Sequence, residues 1–321
     1  MTERVWTNAT LPEPAMQALR TGVGEGNLVV SAEATSNLAS GAFCPALNQA
    51  AIAFGQPDPQ QAMQLPNLRW VHLTSAGYTR YDAPEFRSAC ADSGAVLTNS
   101  SSVFDEPCAQ HVLAMMLAEC RRIPQSVAAS RMGSWDYAEQ RRRARILQGD
   151  TVLILGYGAI GRRLAELLAP FRLRVMGLRR SPRGDEGVPV FGIDRLAEFL
   201  PEADHLVNVL PANPESSRLL GRSEFESLPW GARFYNVGRG TTVDQAALIA
   251  ALRSGQLSAA YLDVTDPEPP VAGDPIWTAP NCFITPHIAG GRQNEAMEMV
   301  NHFLGNLERW RRSQPLLDRI I

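Results

Sequence analysis

The 321-residue chain contains no lysine; all thirty of its basic side chains are arginine. That absence removes whole chemistries, because a Schiff-base or pyridoxal-phosphate enzyme, a Walker-A nucleotide binder and a protein kinase each need an amine that arginine cannot supply. Codon usage is the plain source of such a bias. Cysteine is scarce: Cys44, Cys90, Cys108, Cys120 and Cys282 are odd in number and never form a CxxC pair. This fits reduced thiols in a cytoplasmic protein, and neither a disulfide frame nor a zinc site. The five histidines, at 72, 111, 205, 287 and 302, lack metal-ligand spacing, so no metal is expected. Long apolar runs are missing too. The longest, residues 112–118, falls far short of the ~18 needed to span a bilayer, and Met1-Thr2-Glu3-Arg4 leads into no apolar leader core. Nor does one sign of charge dominate: thirty basic against thirty-three acidic residues leave −3. Neither nucleic acid nor an anionic membrane has an electrostatic reason to be the main partner.

What is present is an ordinary globular composition, 45% hydrophobic and 20% charged, on a chain long enough for two domains. The arginine-rich piece Arg141–Arg145 reads as a solvated face. After it the pattern sharpens. Thr151–Leu155 is a short apolar run bounded by glycines, as a buried parallel strand should be, and residues 160, 164, 167 and 168 mark a helical stripe that stops at Pro170. Further strands are predicted at 174–178, 205–210, 233–237, 260–264 and 282–284. Asp194 and Asp244 are placed as helix N-caps, and Gly255 ends the second of those helices. Strands alternating with helices predict a parallel sheet covered on both faces. The first hundred residues alternate more weakly, with apolar runs at 5–6, 28–30, 51–54, 70–73 and 96–97, and predict a smaller α/β unit. Long helical patterns near 106–121 and 294–312 suggest two crossings between the units, with a cleft and hinge motion.

Five segments carry chemistry. Gly156-Tyr157-Gly158-Ala159-Ile160-Gly161 is GxGxxG between a strand and a helix. Its glycines permit a tight turn, approach of a pyrophosphate to the helix N-terminus, and close helix packing. The next strand leads into Arg179-Arg180-Ser181, where dinucleotide folds often place an acid for the ribose 2′-hydroxyl, and no carboxylate occurs before Asp185. Two guanidiniums there suit a 2′-phosphate, the alternative being arginines exposed in a loop. Finally, Arg239 in Asn236-Val237-Gly238-Arg239-Gly240 reads as functional because the flanking glycines let backbone and ligand approach at the carboxyl end of the sheet, whereas Glu268 between prolines and His287 in a glycine-ended turn each read singly as surface or structural residues. Together beside a nicotinamide they form what 2-hydroxy acid oxidation requires: a guanidinium for the carboxylate, an imidazole for the hydroxyl proton and a carboxylate to orient that imidazole.

On LGYGAIG (155–161), NVGRG (236–240), Leu262–Pro269 and TPHIAGG (285–291), the chain resembles the D-isomer-specific 2-hydroxyacid dehydrogenase family, and within it the glyoxylate/hydroxypyruvate reductases. The resemblance implies an α/β fold of two Rossmann-like doubly wound parallel-sheet domains, the smaller one discontinuous. Residues 1–104 and 293–321 would form the substrate-binding domain and 105–292 the dinucleotide-binding domain. It implies Arg239, Glu268 and His287 as the catalytic set. Cofactor contacts would come from the glycine turn, Leu210, Pro211, Val237, Gly238 and Asp263, and the substrate carboxylate would be held by a loop containing Ser75, Ala76 and Gly77. The Arg179 substitution makes NADP(H) the expected cofactor over NAD(H). Where many relatives carry Val-Ala-Glu-His, this chain has Cys108-Ala109-Gln110-His111, so no role of that glutamate carries over. A homodimer is also implied, with Val112, Met115, Met116 and Trp135 as its apolar surface. A dinucleotide-sensing binding protein of the same fold, resembling a corepressor, is the alternative function.

Overall fold

The computed structural model describes residues 3–37 and 39–321, so the first two residues of the Met1-Thr2-Glu3-Arg4 start lie outside it. The chain divides into two compact units. One runs to Phe104 and resumes from Arg292 to Ile321; the other is Asp105–Gly291.

The first unit is built on β1 (Val5–Ala9), β2 (Leu28–Thr35), β3 (Ile52–Gly55), β4 (Trp70–Leu73) and β5 (Val96–Thr98), all parallel in the order β2-β1-β3-β4-β5. β1, β3 and β4 are buried throughout, which explains why they are mostly apolar, with Thr7, Asn8 and His72 as buried polar exceptions. The helix Glu295–Arg311 belongs to this unit, and its Met299, Val300, Phe303 and Leu307 pack with Leu19, Phe54 and Trp70 in one core. The residues after that helix return to the sheet: Leu97 accepts a hydrogen bond from Ile320 N, and the Asp318 carboxylate accepts from the amide and hydroxyl of Ser102.

The second unit carries β6 (Thr151–Leu155), β7 (Arg174–Arg179), β8 (Val190–Gly192), β9 (His205–Asn208), β10 (Ala232–Asn236), β11 (Leu257–Leu262) and β12 (Cys282–Ile284). All pair parallel in the order β12-β11-β10-β9-β6-β7-β8, so the winding direction reverses between β6 and β9. In such sheets ligands bind outside the carboxyl ends of the strands at that reversal.

Several local expectations change. β8 was not foreseen, because three half-buried residues carry no periodic signal. Asp194 caps no helix; it lies inside a 3-10 turn, Ile193–Arg195, that leads into a four-residue helix. β9 stops at Asn208 rather than 210, because the Asn208 side chain accepts from the Leu210 amide and turns the chain. Val112, Met115 and Met116 are buried within the protomer and offer no surface. Trp135, by contrast, is 90% exposed, and the helices Ile123–Arg131 and Tyr137–Arg143 around it bury no residue at all.

Candidate functional site

Each glycine of the turn after β6 answers a different steric demand. Gly156 has φ +93°, and a Cβ there would stand 2.9 Å from the Val209 carbonyl oxygen, so the loops after β6 and β9 touch through backbone. A Cβ on Gly161 would stand 3.0 Å from the Gly156 oxygen, which lets the helix Ala159–Leu168 sit hard against the strand end. A Cβ on Gly158 would meet no protein atom within 4 Å. That open side lies at the N-cap of a helix whose cap supplies no side-chain acceptor, so its first amides and positive dipole end remain for an anion. The residues therefore fit a dinucleotide pyrophosphate. Tyr157 contributes only its backbone here. Its ring is buried over Gly177, where a Cβ would lie 2.4 Å from Tyr157 Cδ2, and its hydroxyl donates to the Glu186 carbonyl.

Arg179 ends β7 and is mostly covered, with Nη1 3.7 Å from Glu186 Oε1. Sequence distance hides that carboxylate, because the loop folds back: Glu186 accepts from the amides of Arg183 and Gly184, and these bonds hold its carboxyl below the ordinary range. Arg180 reaches Glu215 at 3.6 Å with both side chains well exposed, and Ser181 is exposed.

A buried amide network shapes the loop after β10. Asn208 Nδ2 donates to Asn236 Oδ1 (3.0 Å) and Thr242 Oγ1 (2.7 Å), Asn236 Oδ1 also accepts from the Gly238 amide, and the Thr242 hydroxyl donates to the Arg239 carbonyl. All three side chains are at most 1% exposed, so every bond counts toward fixing Gly238 and Arg239. A Cβ on Gly238 would stand 2.7 Å from the Leu210 oxygen, which brings the Leu210-Pro211 and Val237-Gly238 backbones into contact. A Cβ on Gly240 would lie 1.9 Å from the Thr265 oxygen, so the half-buried Arg239 is held beside the loop that carries Glu268. Its Nη1 donates to the Gly238 carbonyl.

Asp263, 2% exposed, organises the next loop. Its carboxylate accepts from the Thr285 hydroxyl (2.6 Å) and the amides of Ile288 (2.9 Å) and Ala289 (2.8 Å), while its carbonyl accepts from His287 N. His287 is thereby held in the left-handed region, φ +53°, and its Nδ1 meets Glu268 Oε1. About a quarter of the imidazole and a third of the carboxylate remain exposed. His111 also arrives here, with Nε2 3.1 Å from Thr285 Oγ1; since the Thr285 proton goes to Asp263, His111 is the donor. Burial lowers its pKa against the pull of Asp263. Burial pushes the Cys108 thiol up to about 12, with Asp263 adding to the rise, so it stays neutral.

The loop after β4 is arranged differently. Its carbonyls are all engaged: Ser75 O accepts from the Ser100 amide, Ala76 O from Asn99 Nδ2 and Gly77 O from the Ser75 hydroxyl. The amides of Ser75, Ala76 and Gly77 have no acceptor among the described residues, although all three residues are half-buried. Consecutive backbone amides without acceptors are the kind of donor set that suits an anion. The structure thus gathers Arg239, Glu268, His287 and Asp263 with the glycine turn in one unit, and Ser75–Gly77 in the other. Gln56, Asn99, Asn208, Thr242 and His111 were not foreseen as site residues. For Gln56, Asn99 and Asn208 the available signal was a polar residue at the end of an apolar strand; Thr242, in a 3-10 turn, and His111, inside a helix, carry no such signal.

Comparison with known proteins gives the family. Residues 113–289 match the D-isomer specific 2-hydroxyacid dehydrogenase, NAD binding domain. The chain is 32% identical over 252 residues to a glyoxylate reductase of Aeropyrum pernix, covering 76% of this chain and 73% of that protein. A D-isomer specific 2-hydroxyacid dehydrogenase from Xanthobacter autotrophicus, solved with NADPH and MES, superposes with a TM-score of 0.82 at 28% identity over 100% of this chain and 98% of the other. An NADPH-dependent glyoxylate/hydroxypyruvate reductase of Sinorhizobium meliloti, solved with NADP and malonate, gives 0.74 at 25% identity over 100% and 97%.

Proposed function

Because the chain belongs to the D-isomer specific 2-hydroxyacid dehydrogenase family and is an NAD(P)-dependent 2-oxoacid reductase, we propose that it acts on the smallest acids of that class, glyoxylate or hydroxypyruvate, as a cytoplasmic homodimer that prefers NADP(H). The observation that carries the reading is the His287–Glu268 pair on a turn fixed by Asp263, with Arg239 on the adjoining loop. A nicotinamide, when bound, supplies or takes the hydride. With Nδ1 on Glu268, His287 has Nε2 left to give a proton to the carbonyl oxygen in reduction and to take it back in oxidation. Glu268 fixes the orientation of the ring. The guanidinium of Arg239 is the group for polarising the 2-oxo acid, and the amides of Ser75, Ala76 and Gly77 are the donors assigned to a carboxylate. The 156–161 turn, Leu210, Pro211, Val237, Gly238 and Asp263 hold the cofactor, and division of labour between a substrate-binding and a dinucleotide-binding unit follows from these assignments.

Arg179, Arg180 and Ser181 would receive a 2′-phosphate through charge-assisted hydrogen bonds, with Glu186 and Glu215 as the internal counter-ions it displaces. The two solved relatives that hold NADPH or NADP support this preference. Support for the dimer lies in the exposed Ile123, Val127, Met132, Trp135 and Tyr137, an apolar concentration a monomer would not keep in water. Free cysteines, and no helix among the described residues long and apolar enough to cross a membrane, agree with a cytoplasmic site of action.

The deciding experiment is a matrix of initial rates for glyoxylate, hydroxypyruvate, pyruvate and bulkier 2-oxo acids with NADPH and with NADH. The first two acids with NADPH should give the highest kcat/KM. A bulkier acid in first place rejects the small-acid reading, and parity or preference for NADH rejects the phosphate site. Light scattering at micromolar concentration should report twice the chain mass.

A further inference from the structure

Gln56 stands directly after β3, where the winding of the first sheet reverses between β1 and β3. Its side chain is fully buried at the end of an apolar strand. The backbone is held in place twice: Gln56 N donates to Asn8 Oδ1 and Asn8 Nδ2 donates to Gln56 O, each at 2.8 Å. Its neighbours have no room for side chains. Gly55 has φ +148° and a Cβ there would lie 2.2 Å from Asn8 Oδ1, while a Cβ on Gly41 would lie 2.0 Å from the Gln56 oxygen. From this seat Nε2 donates to Thr74 Oγ1 (3.2 Å) and Ser75 Oγ (3.1 Å), and Ser75 Oγ in turn donates to the Gly77 carbonyl. The other end of the same amide, Oε1, is buried with no partner among the described residues.

A buried acceptor left unpaired is costly, and a methionine or leucine of similar size would avoid that cost. The glutamine is therefore explained by what its donor does. We infer that Gln56 is a positioning residue for the substrate carboxylate, acting through Ser75: it folds the Thr74–Gly77 loop so that the carbonyls turn into the protein and the amides of residues 75–77 remain for the acid. The inference rests on the reading of that loop as the carboxylate holder. A neutral amide suits this task, because it orders the loop without bringing a negative charge toward an anion.

The test compares Gln56→Met, Ser75→Ala and the double variant, using glyoxylate and NADPH. Each single change should raise KM for glyoxylate about tenfold, the loss expected of one ordering hydrogen bond, with kcat within about twofold and with NADPH affinity and Tm unchanged. The double variant should be no worse than the singles, since both interrupt one chain. An unchanged KM in Gln56→Met overturns the inference, as does a joint fall of kcat and Tm, which marks a purely structural residue. Should Gln56→Met not fold, Gln56→Glu keeps the size, removes the donor and places a charge near the loop; its KM should rise further, and a normal value overturns the inference. Ala76→Pro deletes one of the amides and separates the two claims. A KM raised by Ala76→Pro but untouched by Gln56→Met removes Gln56 alone, and a KM untouched by Ala76→Pro removes the loop reading itself.

Discussion

His72 and His287 belong to different parallel sheets and are treated in opposite ways. His72 lies in β4, fully buried between two hydroxyls, with Nδ1 2.7 Å from Thr98 Oγ1 and Nε2 3.3 Å from Ser100 Oγ. Ser100 gives its proton to the Leu73 carbonyl, so Nε2 is the donor to Ser100 Oγ, and Thr98 Oγ1, which accepts from Trp70 Nε1, keeps a proton that can serve a bare Nδ1. The two hydroxyls can thus satisfy the neutral ring with hydrogen on Nε2. Burial drives its pKa down to about 3, with the nearby His302 adding to the fall and Asp318 opposing it. His287 has a carboxylate on Nδ1 and a partly exposed face. One histidine is sealed inside its strand and kept neutral by burial; the other stands on a turn, with a carboxylate on Nδ1 and a face open to solvent.

The largest effect expected from that contrast is on chemistry. His287→Ala should cut turnover in both directions by ~10²–10⁴ with cofactor affinity and Tm nearly unchanged, the usual size of general acid–base help. Arg239→Ala should lower kcat and raise KM together. Initial rates in both directions check this, and near-normal turnover in His287→Ala would erase the distinction between the two histidines.

Next in size is the stability signature of His72. Its folded pKa lies below the ordinary 6.5, so between 6.5 and about 3 the unfolded chain takes a proton that the native ring refuses. Stability should therefore decline as pH falls below 6.5, with up to ~1.4 kcal/mol per pH unit from this group. The buried His205, whose pKa is likewise lowered by burial, adds its own slope, so the variant carries the information. Urea midpoints at pH 7, 6 and 5 should fall less steeply for His72→Asn, by about one proton, while its turnover with substrate persists. Identical slopes would mean His72 protonates in the native state.

The smallest effect separates charged from neutral anchoring. Arg179→Asp should move the NADPH/NADH ratio of kcat/KM toward NADH by roughly ten- to a hundredfold, and Glu186→Gln, by freeing Arg179, should tighten NADPH a few-fold. Added salt should weaken NADPH binding more than it raises KM for the 2-oxo acid, because amides share the hold on the acid. Equal salt dependence of the two would remove the contrast between the anchors.

Much of the architecture could be read from residue order alone. The strands β4, β6 and β12 have the limits their apolar runs suggest, and Asp244 and Gly255 bracket the helix Gln245–Ser254 as the capping rules require. These features are local, and local chemistry is written in adjacent letters. The glycine turn was legible for the same reason, but the inward turn of Tyr157 was not, since it depends on Gly177 in the neighbouring strand. Glu186 escaped notice because its loop doubles back to Arg179, and Gln56 because its partners lie eighteen and nineteen residues away on another loop. Asn208, Asn236 and Thr242 likewise act across three chain segments. What the letters withhold are hydrogen bonds between distant segments, and these shape the loops on which the proposed chemistry stands.

The unspent amides of Ser75, Ala76 and Gly77 belong to no side chain, so an alanine scan would pass over them and register only the groups that hold them in place. They do not titrate, so the proposed hold on an acid stays constant from mildly acidic to alkaline solution while proton transfer elsewhere changes. Substitution can alter the side chains of residues 75 and 76 without deleting a donor; only proline can remove one. A binding element of this kind leaves a faint trace in sequence and tolerates drift, provided the carbonyls remain turned inward.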